Sequence, residues 1–390
     1  MQISVDNRVI DRRIAELCQD WMHDNGRNAV QVDLQPSLNA VFDEGLKANA
    51  GGKRLRALLA LAAFHAYRAD DPSENRQDPD CRAKVQEHAA GPFGVNDGET
   101  VDAIPQAMLD LACAIEIYQT SALIHDDIID DSPRRRGRAS AHVALSRKNA
   151  PDNFGTGLAL MLGNMLATAS ADIALKALEC PELQHSEINL HTFFQMQRAV
   201  EIGQTLDLGA ETISLERSNE LIAASLNVFA WKTASYTTIA PLELGLCAAG
   251  MPPQTAHRTA HDIGLPLGVA FQLADDLLDV IGTSKSTGKP VGGDIREGKH
   301  TVLLADALQS VDETNRNTLI RIYRQSTRSD AEVQNVLGLF ASSGAVDISR
   351  KRIRDLWQQT QCAIGKIDIS SKGQAALTDC CARFIDDELR

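Results

Sequence analysis

Residues 123–138 read LIHDDIIDDSPRRRGR, with four acids followed almost at once by four arginines. The segment before the acids, residues 108–124, is apolar with helical spacing and contains neither glycine nor proline, which predicts a buried helix. At 3.6 residues per turn, Asp126, Asp127 and Asp130 fall at positions i, i+1 and i+4 and can reach toward one spot. So much negative charge at the end of an apolar helix is unfavourable unless cations bind there, and hard oxygen ligands suit Mg²⁺.

The same acidic spacing occurs a second time. Residues 271–279 read FQLADDLLD and again end an apolar run with helical spacing, so Asp275, Asp276 and Asp279 form a second triad. A single short motif of this kind is more often a solvated acidic helix end than a metal site. Two copies, each followed by Lys and Arg residues, indicate instead a site that holds several Mg²⁺ ions with a diphosphate between them.

The overall composition argues against several classes of protein. The chain has 390 residues, and its net charge of −13 disfavours nucleic acid or an anionic membrane as the main partner. The N-terminus lacks the apolar core of a signal peptide, and no apolar run of about 18 residues is free of charge, so we expect no transmembrane segment. The eight cysteines show no Cys-x-x-Cys spacing, which predicts reduced thiols in a cytoplasmic protein.

Helical periodicity runs through the chain on both sides of one irregular segment. Residues 70–104 are rich in Asp, Pro, Gly, Asn and Glu, which predicts a mobile loop or insertion. Residues 51–56, GGKRLR, combine a glycine turn with a helix start and three cations, which is a weak signal for phosphate binding when taken alone. Because the two triads should face one another, we predict one all-α unit, residues 1–390, rather than separate domains. The predicted helices cover residues 8–24, 36–48, 57–67, 105–124, 157–178, 191–208, 221–240 and 263–280, and the chain after 302 with breaks near 312, 329 and 343.

These motifs resemble those of the trans-isoprenyl diphosphate synthases, the head-to-tail polyprenyl synthetase family. The resemblance covers roughly Gly51 to Thr301, apart from the 70–104 segment. It implies a single large helical bundle around a central active-site cavity, with the triads facing each other across its mouth, and usually a homodimer. It also implies a Mg²⁺-dependent prenyltransferase that condenses isopentenyl diphosphate with an allylic diphosphate, five carbons at a time.

The resemblance further implies a role for each site residue. Up to three Mg²⁺ ions would be bound by Asp126, Asp127, Asp130, Asp275 and Asp276, with Asp279 as an outer member. The allylic diphosphate would be held by Arg135, Lys232, Lys289 and Lys299. The isopentenyl diphosphate would be held by Lys53, Arg56, Gln119 and Arg136. Thr233 and Gln272 would lie near the developing carbocation. Gln204 and Asp207 match a further motif of the family.

Three positions depart from the family pattern. Ala57 stands where the family often has proline, Asn164 where aspartate is common, and His300 where arginine is frequent. None of the three removes a metal ligand or a phosphate contact named above. His125, beside the acids, is expected to be a packing or hydrogen-bonding residue rather than a general base.

Other functions with acidic clusters fit the sequence less well. A class I terpene cyclase or a head-to-head synthase has no need of the Gly51–Arg56 pocket for a second diphosphate. A non-catalytic subunit of a heteromeric synthase usually loses acids from a triad, and both triads are intact. A Ca²⁺-binding helical protein would carry a twelve-residue loop with a glycine and a terminal glutamate, which this chain lacks.

The helix before the first triad predicts the product length. In the family the product grows beside this helix, and members that stop at fifteen carbons commonly have an aromatic residue four or five positions before the first aspartate. Here those positions are Ala122 and Ser121, which are small, and the next bulky side chain is Tyr118. Three residues of helix rise by about 4.5 Å, close to one isoprene unit. We therefore expect geranylgeranyl diphosphate, with farnesyl or longer polyprenyl diphosphates as the alternatives.

Overall fold

The computed structural model describes residues 7–26, 32–68, 104–148, 151–282 and 291–390. The predicted loop at 70–104 lies outside these ranges except for Ile104, and so does the predicted phosphate ligand Lys289. Within the described ranges the chain is almost entirely helical, as the sequence predicts.

The described helices alternate with short turns throughout the chain. In the first half they are α1 Asn7–Gly26, α2 Gln35–Asn49, α3 Leu55–Arg68, α4 Gln106–Ile129, α5 Ala141–Ala144, α6 Phe154–Leu178 and α7 Ser186–Ala210. In the second half they are α8 Ser218–Val228, a π-helix Phe229–Ile239, α9 Ala240–Ala248, α10 Pro253–Ile281, α11 Gly293–Glu297, α12 Val302–Ser310, α13 Glu313–Tyr323, α14 Asp330–Ser342, α15 Ala345–Ile364 and α16 Ser371–Ala382. A 3₁₀ turn, Val32–Leu34, and two strands, β1 Arg134–Arg135 and β2 Arg138–Ala139, complete the described elements.

Two long helices, α4 and α10, form the centre of the bundle. Helix α4 packs against α1, α3 and α6, while α10 packs against the π-helix, α9 and α15. Nearly every side chain of α4 from Met108 to Ser121 is buried or half-buried, which follows from its apolar sequence. Each of these helices carries one triad near its C-terminal end, so the two acidic motifs are placed by the core itself.

Two acids of the first triad lie in the last turn of α4, and the third caps that helix. The sequence predicts an end at residue 124, but α4 continues to Ile129, and Asp130 is its C-cap. Carboxylates at a helix C-terminus meet the negative end of the helix dipole, which adds to their mutual repulsion. Cationic side chains must therefore lie close by, and they do.

The predicted helix 221–240 changes its winding in the middle. Helix α8 runs into the π-helix, which carries Lys232 and Thr233, and α9 follows with Pro241 in its first turn. Proline has no N–H and disrupts regular α-helical bonding, and π-turns often occur at functional sites. A Cβ on Gly203 of α7 would clash with the backbone of Lys232, so only glycine allows α7 to pass this close. The winding and this close approach together fix where Lys232 points.

Two described helices, α4 and α6, are long and apolar enough to cross a membrane by length and composition alone. In their most apolar windows, 67% and 44% of the residues are buried inside the bundle. The core helices of water-soluble proteins have the same length and composition, so these two helices are weak evidence for a membrane span.

Candidate active site

The first triad is held by cations that come from distant parts of the chain. Lys232 Nζ lies 3.1 Å from Asp126 Oδ1 and 2.5 Å from Asp207 Oδ2 of α7. Burial alone would raise the pKa of Asp126, but the neighbouring cations, chiefly Lys232, outweigh it and hold that pKa below its usual range. The structure thus brings together three residues that the sequence places in three separate motifs.

A tight hairpin returns the arginines to the triad. Strands β1 and β2 pair Arg134 with Ala139 and Arg135 with Arg138, and the two turn residues Arg136 and Gly137 both have positive φ, as in a type I′ turn. Arg135 donates from Nε to Asp127 Oδ1 at 2.8 Å and from Nη2 to the same oxygen at 2.5 Å. The sequence did not predict this hairpin, because two-residue strands have no detectable alternation.

The second triad has a different environment. Asp276 is 8% exposed and accepts a hydrogen bond from Gln272 Nε2 at 2.8 Å, while Thr233 Oγ donates to Gln272 Oε1 at 2.9 Å. No described residue donates to the other buried oxygen, Asp276 Oδ2. Burial, followed by the nearby charge of Asp294, raises the pKa of Asp276 well above its usual range. An ion with vacant coordination positions would satisfy this oxygen.

The two triads are linked through the segment that follows α10. Both carboxylate oxygens of Asp279 accept backbone N–H groups, from Gly293 and from Asp294, each at 3.1 Å. Farther along the same segment, Lys299 Nζ lies 3.4 Å from Asp130 Oδ2 of the first triad. Burial raises the pKa of Asp294 to about 7; the positive charge of Lys299 opposes this rise, and the negative charges of neighbouring acids such as Asp279 add to it. Asp279 thus holds the segment that carries Lys299 to the first triad.

The predicted pocket for isopentenyl diphosphate is built from the turn before α3. Arg56 is 6% exposed, donates from Nη2 to Thr237 Oγ at 2.7 Å, and stacks 4.2 Å from the centre of the Tyr236 ring. Arg136 donates to the carbonyl of Gly51 at 3.0 Å. Burial and the charges of neighbouring arginines lower the pKa of Arg136 below its usual range. Such a concentration of like charges favours a bound anion.

Lys53 of the same turn faces the second triad. It lines a cavity of about 450 Å³ together with Asp275, Phe271 and the C-terminal residues, among them Arg383 and Arg390. The two predicted diphosphate pockets therefore lie next to each other. Gln119 is half-buried on α4, and Gln204 is half-buried on α7.

The three residues predicted to set the product length do not share one environment. Tyr118 is buried and donates from its hydroxyl to the carbonyl of Gln197 on α7 at 3.1 Å. Ser121 donates to the carbonyl of Gly163 on α6 at 2.7 Å, whereas Ala122 is half-buried. Tyr118 and Ala122 are four residues apart and so share a face of the helix. The assignment of all three to product length stays a prediction.

His125 and two of the positions that depart from the family pattern, Asn164 and His300, differ in burial and in contacts. His125 packs against Gly163, where a Cβ would clash with its ring, and no described residue bonds its buried Nε2. Asn164 is exposed. His300 is half-buried, its carbonyl accepts the Ser225 hydroxyl at 3.0 Å, and burial lowers the pKa of its ring.

Within the described residues, no three His, Cys, Asp or Glu side chains converge in the geometry of a metal site. The acids of the first triad are instead paired with Lys232, Arg135 and Lys299. These ion pairs direct the carboxylates toward cationic side chains rather than toward one point. The assignment of metal ligands therefore rests on the sequence motifs and on the oxygen donors available.

Sequence reasoning missed several residues that shape the site. Asp294 lies in the segment after the second triad, but nothing in its spacing marks it as a neighbour of that triad. Tyr236 and Thr237 follow the Lys-Thr motif on the π-helix, where regular α-helical spacing does not predict which side chains turn inward. Glu116 interrupts an apolar helix, and that interruption was the one signal of its buried role.

Comparison with known proteins identifies the family. The polyprenyl synthetase family model matches residues 35–340. The short chain isoprenyl diphosphate synthase of Methanothermobacter thermautotrophicus is 30% identical over 300 residues, which make up 76% of this chain and 75% of that protein. The geranylfarnesyl diphosphate synthase of Aeropyrum pernix is 30% identical over 249 residues, 63% of this chain and 72% of that protein.

A solved structure agrees with these matches along nearly the whole chain. The geranylgeranyl pyrophosphate synthase of Corynebacterium glutamicum, crystallised with isoprenyl diphosphate and magnesium, is 27% identical and has a TM-score of 0.76. The match covers 98% of this chain and 99% of that one. Together with the resemblance of the motifs, these matches show that the chain belongs to the polyprenyl synthetase family and is a prenyltransferase.

Proposed function

We propose that this prenyltransferase condenses isopentenyl diphosphate head to tail with allylic diphosphates to give short-chain trans-prenyl diphosphates. One observation supports this proposal above the others. Asp279 of the second triad holds the segment whose Lys299 contacts Asp130 of the first, so both triads border one site. A class I cyclase would also place its acids around one site, but it would not need the arginine-rich pocket around Arg56.

The residues present fit Mg²⁺. Asp276 offers a buried carboxylate oxygen with no described donor, and the other acids of both triads offer hard oxygen atoms, which Mg²⁺ prefers. The proposed ligands of three ions are Asp126, Asp127, Asp130, Asp275 and Asp276. When bound, the ions would stabilise the negative charge that grows on the departing diphosphate.

The cationic side chains have distinct proposed tasks. Arg135, Lys232 and Lys299 would bind the oxygen atoms of the allylic diphosphate, and Lys289, outside the described residues, would join them. As the C–O bond breaks, these fixed charges favour the departing anion, which is electrostatic catalysis. The Thr233 hydroxyl and the Gln272 oxygen lie close enough to each other, 2.9 Å apart, to border the allylic carbocation together.

The second substrate would supply the electrons for the new bond. Its diphosphate would be held by Lys53, Arg56, Gln119 and Arg136. The double bond of isopentenyl diphosphate attacks the allylic carbon through C4, which forms the new C–C bond and leaves a positive charge on C3. A proton then leaves C2 for the released diphosphate, and a double bond forms between C2 and C3. No side-chain nucleophile is needed for these steps.

We further propose geranylgeranyl diphosphate as the product, with the chain working as one unit in a cytoplasmic homodimer. Tyr118 is buried one helical turn below Ala122, which supports a floor at that depth.

Large apolar side chains remain exposed on α6 and α7, including Leu160, Met161, Ile202 and Leu208, which supports a second copy of the chain as the cover. Sedimentation velocity would test the dimer.

The decisive experiment is an incubation with Mg²⁺, isopentenyl diphosphate and a radiolabelled allylic diphosphate. We expect an elongated prenyl diphosphate that disappears when Mg²⁺ is chelated. A cyclic hydrocarbon formed from the allylic substrate alone would indicate a cyclase. Absence of any product from the purified chain, with product formed on adding a second subunit, would indicate a non-catalytic partner.

A further inference from the structure

A buried acid outside both triads lies in the middle of α4. Glu116 is 1% exposed and stands ten residues before Asp126 on the same helix, about 15 Å along its axis. A buried carboxylate is costly unless charged or polar groups satisfy it. The groups that bind Glu116 therefore indicate what it is for.

Glu116 caps a different helix from its own. Its Oε1 accepts the backbone N–H groups of Arg56 at 3.1 Å and Ala57 at 3.2 Å, both in the first turn of α3. The first N–H groups of a helix have no partner within it, and α3 begins after Lys53 and Arg54, neither of whose side chains can accept a hydrogen bond. Alanine at position 57 matters here because a proline would have no N–H to donate.

Arg54 shares the same buried carboxylate. It is 2% exposed, and its Nη1 lies 3.5 Å from Glu116 Oε2. Its Nε donates to Asp11 of α1 at 2.7 Å, and its Nη2 donates to the carbonyl of Asn49 at the end of α2. The ends or faces of α1, α2, α3 and α4 therefore meet at one charged cluster, the Glu116–Arg54 cluster.

The cluster lies directly behind the pocket described for isopentenyl diphosphate. One of the two N–H groups that Glu116 accepts belongs to Arg56, whose guanidinium faces Thr237 and Tyr236. No described residue accepts a hydrogen bond from the buried Arg56 Nε. A shift of the first turn of α3 would move this guanidinium.

We propose that Glu116 and Arg54 are positioning residues that hold Arg56 in place for the diphosphate of isopentenyl diphosphate. The inference rests on the proposed function, because it assigns the Arg56 pocket to that substrate. Neither residue touches the substrate. Their effect passes through the start of α3 to Arg56.

The test uses Glu116→Gln and a double-mutant cycle with Arg56→Met. Glutamine has one acceptor oxygen and no charge, so Glu116→Gln should raise the KM for isopentenyl diphosphate about tenfold or more, the loss typical of one hydrogen bond to a charged group. The KM for the allylic diphosphate should change by less than about twofold. In the Arg56→Met background the same substitution should add little, because the side chain to be positioned is gone.

The matched control is Glu243→Gln. Glu243 is also buried, at 8% exposed, but it is bonded to Thr192 at 2.9 Å and His257 at 2.9 Å rather than to α3. It should leave the KM for isopentenyl diphosphate near the wild-type value. Thermal melting of every variant separates a loss of stability from a change of positioning.

Clear outcomes would overturn the proposal. Positioning is contradicted if Glu116→Gln leaves the KM for isopentenyl diphosphate unchanged, if it raises both KM values alike, or if its effect multiplies fully with that of Arg56→Met. If Glu116→Gln does not fold, Asp11→Asn takes its place, since Asp11 is 37% exposed and should give a smaller rise in the same KM only. An unchanged KM in that variant would also contradict the proposal. An inactive wild-type chain would refute the proposed function instead.

Discussion

Replacing Asp279 separates two roles that the site allows. As a member of the second triad it is predicted to be an outer metal ligand, but both of its carboxylate oxygens accept backbone N–H groups of α11. Asp279→Asn keeps one acceptor oxygen and removes the charge. Hydrogen bonds to charged groups contribute about 1.5–3 kcal/mol, which corresponds to about a tenfold to a hundredfold change in an equilibrium. The substitution should shift the equilibrium between the anchored and the released segment carrying Lys299 toward release by about that factor.

The expected kinetic result follows from the contact of Lys299 with Asp130. If Asp279 acts by holding this segment, Asp279→Asn should lower kcat/KM for the allylic diphosphate about tenfold to a hundredfold. The double variant with Lys299→Met should be no worse than Lys299→Met alone, because both remove the same contribution. The Mg²⁺ concentration for half-maximal activity should not change.

The assay is steady-state turnover at saturating isopentenyl diphosphate, with the allylic diphosphate and Mg²⁺ varied in turn. Asp330→Asn is the control, because Asp330 pairs with Arg296 of the same segment at 2.6 Å but is 90% exposed. Exposed pairs of this kind contribute about 0–1 kcal/mol, so this variant should behave almost as the wild type. Two results together would refute the anchoring role. Asp279→Asn would need a higher Mg²⁺ concentration for half-maximal activity, and the loss of kcat/KM in the double variant with Lys299→Met would equal the product of the two single losses.

Five further variants test the remaining parts of the site. Asp126→Ala or Asp275→Ala should abolish turnover while the circular dichroism spectrum stays helical, since both are placed as metal ligands; near-normal activity would contradict that placement. Lys232→Ala should raise the KM for the allylic diphosphate about tenfold to a hundredfold, with much less effect on isopentenyl diphosphate; an equal rise for both substrates would count against separate pockets. Tyr118→Ala should give longer prenyl chains on chromatography, whereas Tyr118→Phe, which loses only the bond to Gln197, should keep the wild-type product; an unchanged product in both would remove Tyr118 as the floor.

The fold and the triads could be predicted because their signals are local. The apolar spacing of α4 and α10 predicts buried helices, and an acidic triad at i, i+1 and i+4 needs no knowledge of the rest of the chain. The end of α4 was placed too early, since carboxylates look like a solvated helix end when their cations are far away in sequence. The π-helix was also missed, because hydrophobic periodicity reports a helix without reporting its hydrogen-bonding pattern.

The contacts between motifs could not be predicted from spacing. Lys232 and Asp207 meet where Gly203 lets α7 approach the π-helix, and the backbone N–H groups that Asp279 accepts come from beyond residues 283–290. In the sequence, Glu116 only interrupts an apolar helix. The structure shows that its carboxylate accepts backbone N–H groups from the first turn of α3. Such pairings depend on tertiary packing, on which sequence periodicity carries no information.

The ion pairs of the first triad imply that substrate binding exchanges partners. Each acid there is paired with a cation that is also proposed to bind the allylic diphosphate: Asp126 with Lys232, Asp127 with Arg135, and Asp130 with Lys299. An unpaired charge that is partly removed from water destabilises the fold, so these ion pairs offset the desolvation cost of the acids and the cations in the free protein. A diphosphate bound together with Mg²⁺ would bring charges of both signs, so the metal would pair with the acids and the phosphate with the cations, and neither set would be left unpaired. Because Lys232 also contacts Asp207, removing Asp126 alone should leave that lysine paired, which is why loss of activity without loss of fold is expected.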